Sequence, residues 1–173
     1  MHFHAEIWVK NKPKSLQEAQ GIVKSIGHLG DWNQIGGRWM GEHDNYKPEN
    51  NPANYEVCNI CKGTGTRDWD KTDDQWAKDC HGCNSCHGTG VSQKWPTEWK
   101  PYEGDILELS KVRDNLSCYT VVIHKGRLNS FFHSEDWTGS AFVKGAMEGK
   151  TVKEFLKSKG ITDGYLITVD YHE

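Results

Sequence analysis

An eight-residue repeat constrains this chain more than any other feature. Cys58-Asn59-Ile60-Cys61-Lys62-Gly63-Thr64-Gly65 returns as Cys83-Asn84-Ser85-Cys86-His87-Gly88-Thr89-Gly90, identical at six of eight positions. A C-x-x-C turn offers two thiolates from one bend of the backbone, and zinc takes four such ligands in a tetrahedron. Glycines after the second cysteine let the chain turn its N–H groups toward the sulfurs. Two knuckles therefore predict one complete site, Cys58, Cys61, Cys83 and Cys86, holding one zinc. The polar stretch between them, residues 67–78, needs no core of its own. One choice stays open, because Cys80-His81-Gly82-Cys83 is also C-x-x-C. The repeat frame favours Cys86 and leaves Cys80, His81 and His87 as spare donors near the metal. Cys118 lies in an apolar stretch and reads as a small core residue.

Four thiolates leave no coordination position for water or substrate, so the zinc is read as structural. The H-x-E…P-C-x-x-C pattern of zinc deaminases is missing, since no proline precedes Cys58 or Cys83. Five of the six cysteines fall between residues 58 and 86. Clustered pairs behind Met1-His2-Phe3-His4, which has no basic-then-apolar leader pattern, read as metal ligands in a reducing compartment. The cytoplasm is the expected location. No stretch approaches the roughly 20 apolar residues of a membrane helix, so no membrane partner is expected.

The knuckles resemble the C-x-x-C-x-G-x-G units of the DnaJ-type cysteine-rich domain. The resemblance covers residues 56–91 only. That family carries four units and two zincs, so two units imply a single zinc here. Neither a J-domain nor its His-Pro-Asp signature is present, and co-chaperone activity is not implied.

Around the repeat, the periodicities are those of an α+β domain. Phe3, Ala5, Ile7 and Val9 alternate with His2, His4, Glu6 and Trp8 as in a half-buried strand. Ser15-Leu16-Gln17-Glu18 is a capping box opening a helix through Leu16, Ala19, Val23 and Ile26. Residues 118–124 and 127–133, joined at Lys125-Gly126, read as a hairpin. Thr151-Val152-Lys153-Glu154 caps a second helix, and Tyr165, Ile167, Val169 and Tyr171 alternate as a last strand. Strand, helix, hairpin, helix, strand is the β-α-β-β-α-β order of a ferredoxin-like sandwich. The alternative is an unclassified α+β domain with Ile106–Leu109 and Ile35–Met40 in the same sheet. The expected organisation is a core of residues 1–54 and 92–173 with a zinc-knuckle insertion at 55–91.

Two weaker constellations accompany the knuckles. Trp32, Arg38 and Trp39 set a guanidinium beside two indoles, either a platform for an anion or nucleotide base or an ordinary packed turn. In a ferredoxin-like sheet the terminal strands are antiparallel neighbours, which brings His2 and His4 to Asp170 and His172 on the uncovered face. Imidazoles with a carboxylate can bind a metal or move protons; otherwise they form a polar surface.

Lys+Arg 21 against Asp+Glu 24 gives a net charge of -3, which argues against duplex DNA binding driven by phosphate neutralisation. Eight Trp, six Tyr and five Phe argue against global disorder. The His-x-His strand, Asp31-Trp32-Asn33-Gln34-Ile35-Gly36-Gly37-Arg38-Trp39 and the terminal Asp170-Tyr171-His172 resemble small accessory proteins encoded by bacteriophages. That resemblance implies a setting of contact with host machinery or host defence in the host cytoplasm, and no catalytic residue. The expected function is protein–protein binding of a host protein, with residues 67–78 and 95–102 as recognition loops. A single-stranded nucleic-acid-binding zinc module is the alternative, and a metal-dependent enzyme using the His/Asp cluster is third.

Overall fold

Alternation at the N-terminus becomes β1, His2–Val9, whose residues from His4 onward are buried whichever way they point. A strand buried on both faces belongs in the middle of a sheet. The structure, a computed structural model, describes residues 1–67 and 82–173. It divides into two compact units, Met1–Tyr46 with Pro101–Glu173, and Lys47–Lys100.

The first unit is mixed α+β with a mostly antiparallel sheet. Its strands run in the order β2 (Trp32–Ile35), β10 (Tyr165–His172), β1, β6 (Thr120–Lys125) and β7 (Leu128–His133), with β5 (Ile106–Glu108) also on β10. β1 and β10 pair antiparallel, His2 opposite His172 and His4 opposite Asp170. β2 and β5 share the far edge of β10, one on each half. Ile106 thus enters the sheet as the alternative reading has it, whereas Gly37–Trp39 forms a 3-10 turn rather than extending β2.

The ferredoxin-like order is corrected by the hairpin. That fold needs the second hairpin strand beside β1, antiparallel. Here the first, β6, lies beside β1 and is parallel to it, and β7 stands outside. The reason is burial: Val121, Val122 and Ile123 of β6 are buried on both faces, while no residue of β7 is more than half-buried. A continuous apolar run takes the inner place. The two-residue turn is Gly126-Arg127, since Lys125 pairs with Leu128.

The helices also fall on opposite faces. α1 (Leu16–Ser25) sets Ala19 and Val23 against Ala5, Ile7, Ile167 and Val169. Ser15 caps it by accepting the Glu18 N–H at 3.1 Å. α2 (Val152–Ser158) sets Val152, Phe155 and Leu156 against Trp8, Val121 and Leu166. Its capping box is complete, with Thr151 Oγ1 accepting from the Glu154 N–H and Glu154 Oε2 from the Thr151 N–H. A short pair, β8 (Glu135–Trp137) and β9 (Phe142–Lys144), follows β7.

In the second unit, β3 (Tyr55–Val57) pairs with β4 (Val91–Gln93) at the base of the knuckles. The unit is wider than 55–91 because flanking turns are tied into it. Asn54 Nδ2 donates to the Pro48 carbonyl, the Lys94 N–H to the Asn54 carbonyl, and Trp99 Nε1 to the Lys94 carbonyl. No helix among the described residues is long and apolar enough to cross a membrane.

Candidate functional site

The repeat closes on itself with near two-fold regularity. The Thr64 N–H donates to the Cys61 carbonyl and the Thr89 N–H to the Cys86 carbonyl, both at 3.1 Å. Across the pair, the Cys58 N–H donates to the Gly90 carbonyl and the Cys83 N–H to the Gly65 carbonyl. Gly65 and Gly90 are required twice over. Both have positive φ, 75° and 77°. A Cβ on either would meet a carbonyl of the other repeat at 2.4 Å, Gly88 or Gly63 respectively. Such a position belongs to glycine.

This closure brings four sulfurs together. Cys58 and Cys83 Sγ lie 4.0 Å apart and Cys61 and Cys86 Sγ 3.7 Å apart. All four are buried with their ligand atoms within 4.8 Å of one another, a set able to hold a metal ion. Sulfurs about 2.3 Å from a tetrahedral ion stand about 3.8 Å from each other, so the donor set fits. Gly65 and Gly90 N–H groups donate to Cys61 and Cys86 Sγ at 3.3 and 3.2 Å. The Cys61 backbone N–H, with the Ser92 hydroxyl, pulls the Cys58 thiol down to about 5. Cys83 is also lowered: burial pushes upward and is outweighed by the Cys86 N–H and the Arg67 guanidinium. At Cys58 and Cys83 the environment favours the thiolate, the form that binds metal, whereas burial pushes the Cys86 thiol up.

Cys80 and His81 lie outside the described residues, as does nearly all of 67–78. His87 is exposed on its turn. Cys118 stands apart, half-buried, its Sγ donating to the Thr120 carbonyl at 3.1 Å and its thiol raised by burial.

The second polar centre lies in the first unit, on the face that β1 and β10 share with α2. The expectation of an uncovered face is corrected here. His4 is 5% exposed, and Glu6, Thr168 and Asp170 are 0% exposed, because the Gly37–Trp39 turn and the loop after it pack against β10. Gly37 lets this happen: a Cβ there would meet Asp170 Cβ at 2.4 Å.

Within the cluster, His4 and Asp170 are opposite in register but bond elsewhere. His4 Nε2 meets Glu6 Oε1 at 2.9 Å, an oxygen that also accepts from Thr168 Oγ1 at 2.9 Å. Since Thr168 donates there, it accepts from His43 Nε2, 2.8 Å away. Asp170 accepts from His2 Nδ1 at 2.8 Å and from the Arg38 N–H at 3.1 Å. His172 turns outward to Asp31, Nδ1 to Oδ1 at 3.0 Å. A fourth carboxyl, Asp105, is fully buried and takes the Gly41 N–H at 2.7 Å. Burial, reinforced by Glu6, Asp44 and Glu42, pushes it up to about 8.

Glu6, His43, Thr168 and Asp105 are absent from the candidate site residues read from the sequence. Glu6 was within reach, sharing parity with His2 and His4. His43 and Asp105 sit in polar loops whose local pattern gives no sign of burial. The tryptophans divide: Trp39 stacks on His4 with ring centres 5.2 Å apart, and Trp32 stands edge-on to His2 at 5.7 Å. The Arg38 side chain is exposed.

The chain matches no family model, no curated protein and no solved structure. Both resemblances therefore rest on their motifs alone.

Proposed function

We propose that this chain is a protein-binding module whose second unit is held together by one structural zinc. The observation that carries the reading is a contrast inside Lys47–Lys100. Among the described residues, its buried apolar cluster consists of the four cysteines. Among the described residues, four of its apolar side chains face outward, Trp95 at 73%, Val57 at 63%, Ile60 at 48% and Val91 at 43% exposure. A unit that spends its apolar side chains on the surface and closes around thiolates depends on a metal for rigidity and presents that surface for contact. Val57 and Val91 also line an open cleft of about 500 Å³ with Pro52 and Tyr55. Four thiolates with no open position suit zinc in a structural role. The host-directed setting in the cytoplasm is part of this proposal and rests on the likeness of the chain ends to phage accessory proteins.

The test compares the zinc-loaded protein with a Val57→Ser, Val91→Ser, Trp95→Ser variant as baits for host proteins. A partner held by the parent and lost by the variant, with zinc content equal in both, is the expected result. Iron in place of zinc, or salt-sensitive retention of single-stranded nucleic acid with no protein partner, overturns the reading.

A further inference from the structure

The buried cluster of the first unit reaches solvent at His4, on an open groove of about 570 Å³. His4, Trp39, Ser117, Ser134, Met147 and Lys150 line it, and no carboxylate is among the described residues that do. In a chain with 24 acids against 21 bases, a groove presenting an ammonium, an imidazole and hydroxyls has the chemistry that complements an anion. It also presents a flat ring edge through the half-buried Trp39. Its volume falls in the range of small-molecule sites.

The Glu6–His4 pair adds a physical reason. A buried ion pair is a poor way to hold a sheet, since an apolar pair of the same volume does as well or better. What the pair achieves is orientation. With Nε2 committed to Glu6 at 2.9 Å and the ring stacked on Trp39, Nδ1 is the ring nitrogen left for a ligand, and it donates to an anion in the imidazolium form. Lys150 Nζ gives one of its three protons to the Ala146 carbonyl at 3.0 Å and keeps the others for an incoming group.

We propose that this groove binds a nucleoside monophosphate, its phosphate against His4 and Lys150 and its base against Trp39. This site is independent of the zinc reading, since every residue in it belongs to the first unit.

The zinc-loaded protein is titrated with adenosine monophosphate, adenosine and inorganic phosphate, following backbone amides by NMR. Adenosine monophosphate should give saturable shifts at His4, Trp39 and Lys150, and each half-ligand should bind at least about tenfold more weakly. Lys150→Ala, an exposed position, should weaken binding about fivefold or more. His4→Gln, which keeps a donor for Glu6, should do the same; if it fails to fold, Trp39→Leu takes its place. No saturable shift up to about 5 mM, inorganic phosphate binding as well as the nucleotide, or variants that bind like the parent would each overturn the proposal. A 5′-phosphorylated tetranucleotide binding more than about tenfold tighter would overturn a single-nucleotide site.

Discussion

The two polar centres of this chain are assembled in opposite ways. Every donor of the four-cysteine centre comes from two short repeats, with partners 25 positions apart. The cluster around Glu6 joins β1, two loops and β10, with Thr168 lying 162 positions from Glu6. In the first, four cysteines able to hold an ion are the buried apolar cluster of their unit among the described residues. In the second, a sheet that folds for apolar reasons encloses ionisable groups. The knuckles should therefore fail with the metal and the cluster should fail with the sheet.

Metal removal gives the largest effect. Structural zinc binding is worth about 10–16 kcal/mol in small domains. Chelation, or serine at Cys58, Cys61, Cys83 or Cys86, should abolish zinc binding and unfold Lys47–Lys100, while β1 and β10 keep their amide-exchange protection. Cys118→Ser should leave about one zinc per chain by elemental analysis. Collapse of both units together would break the comparison.

Next comes the buried carboxylate. Glu6→Ala strands His4 Nε2 and leaves the Thr168 hydroxyl proton without its acceptor, and removing one partner of a buried pair costs about 3–5 kcal/mol. Glu6→Gln keeps an acceptor oxygen and should cost about 1–3 kcal/mol. Urea unfolding of the first unit measures both, and zinc content should not change.

Acid and base should separate the two regions further. An unfolded aspartate titrates near 3.9, whereas burial holds folded Asp105 up to about 8. Between those values the native state keeps a proton that the unfolded chain releases. Stability from this group is complete below about pH 4 and falls as pH rises toward 8, at up to about 1.4 kcal/mol per pH unit. Asp105→Asn should flatten that slope. The metal centre runs the other way, since its thiolates must stay deprotonated and metal affinity falls with falling pH. A parent and an Asp105→Asn variant with identical profiles from pH 5 to 8 would show that Asp105 titrates normally.

How much of this was legible follows from the same contrast. The knuckles were legible because glycine spacing and C-x-x-C turns are local, and a repeat writes the same turn twice. Antiparallel pairing of the terminal strands was expected from the ferredoxin-like order and survives that order's correction, and parity put His2, His4, Asp170 and His172 on one side. The hairpin order was misjudged although Val121-Val122-Ile123 carried the signal: an unbroken apolar run marks an inner strand. The covering of the second face was not legible. It depends on Gly36-Gly37 folding Trp39 back over His4, and on Asp105 meeting the Gly41 N–H from a distant loop, contacts that no local pattern specifies.

The smallest effect is expected at the end of the same strand pair. His172 shares its face with Thr168, and its ring meets Asp31 at 3.0 Å, yet the two side chains are 41% and 76% exposed. Water and salt screen such a pair, and exposed ion pairs contribute about 0–1 kcal/mol. His172→Ala should therefore change stability by less than about 0.5 kcal/mol. His2 lies between the extremes, being 21% exposed against a fully buried Asp170, so His2→Ala should cost more than His172→Ala and less than Glu6→Ala. The three substitutions test burial as the variable, because chemistry, face and strand pair are nearly constant. If His172→Ala costs as much as Glu6→Ala, the imidazoles and carboxylates act as one cooperative network reaching solvent, and the depth of Glu6 ceases to be what distinguishes it.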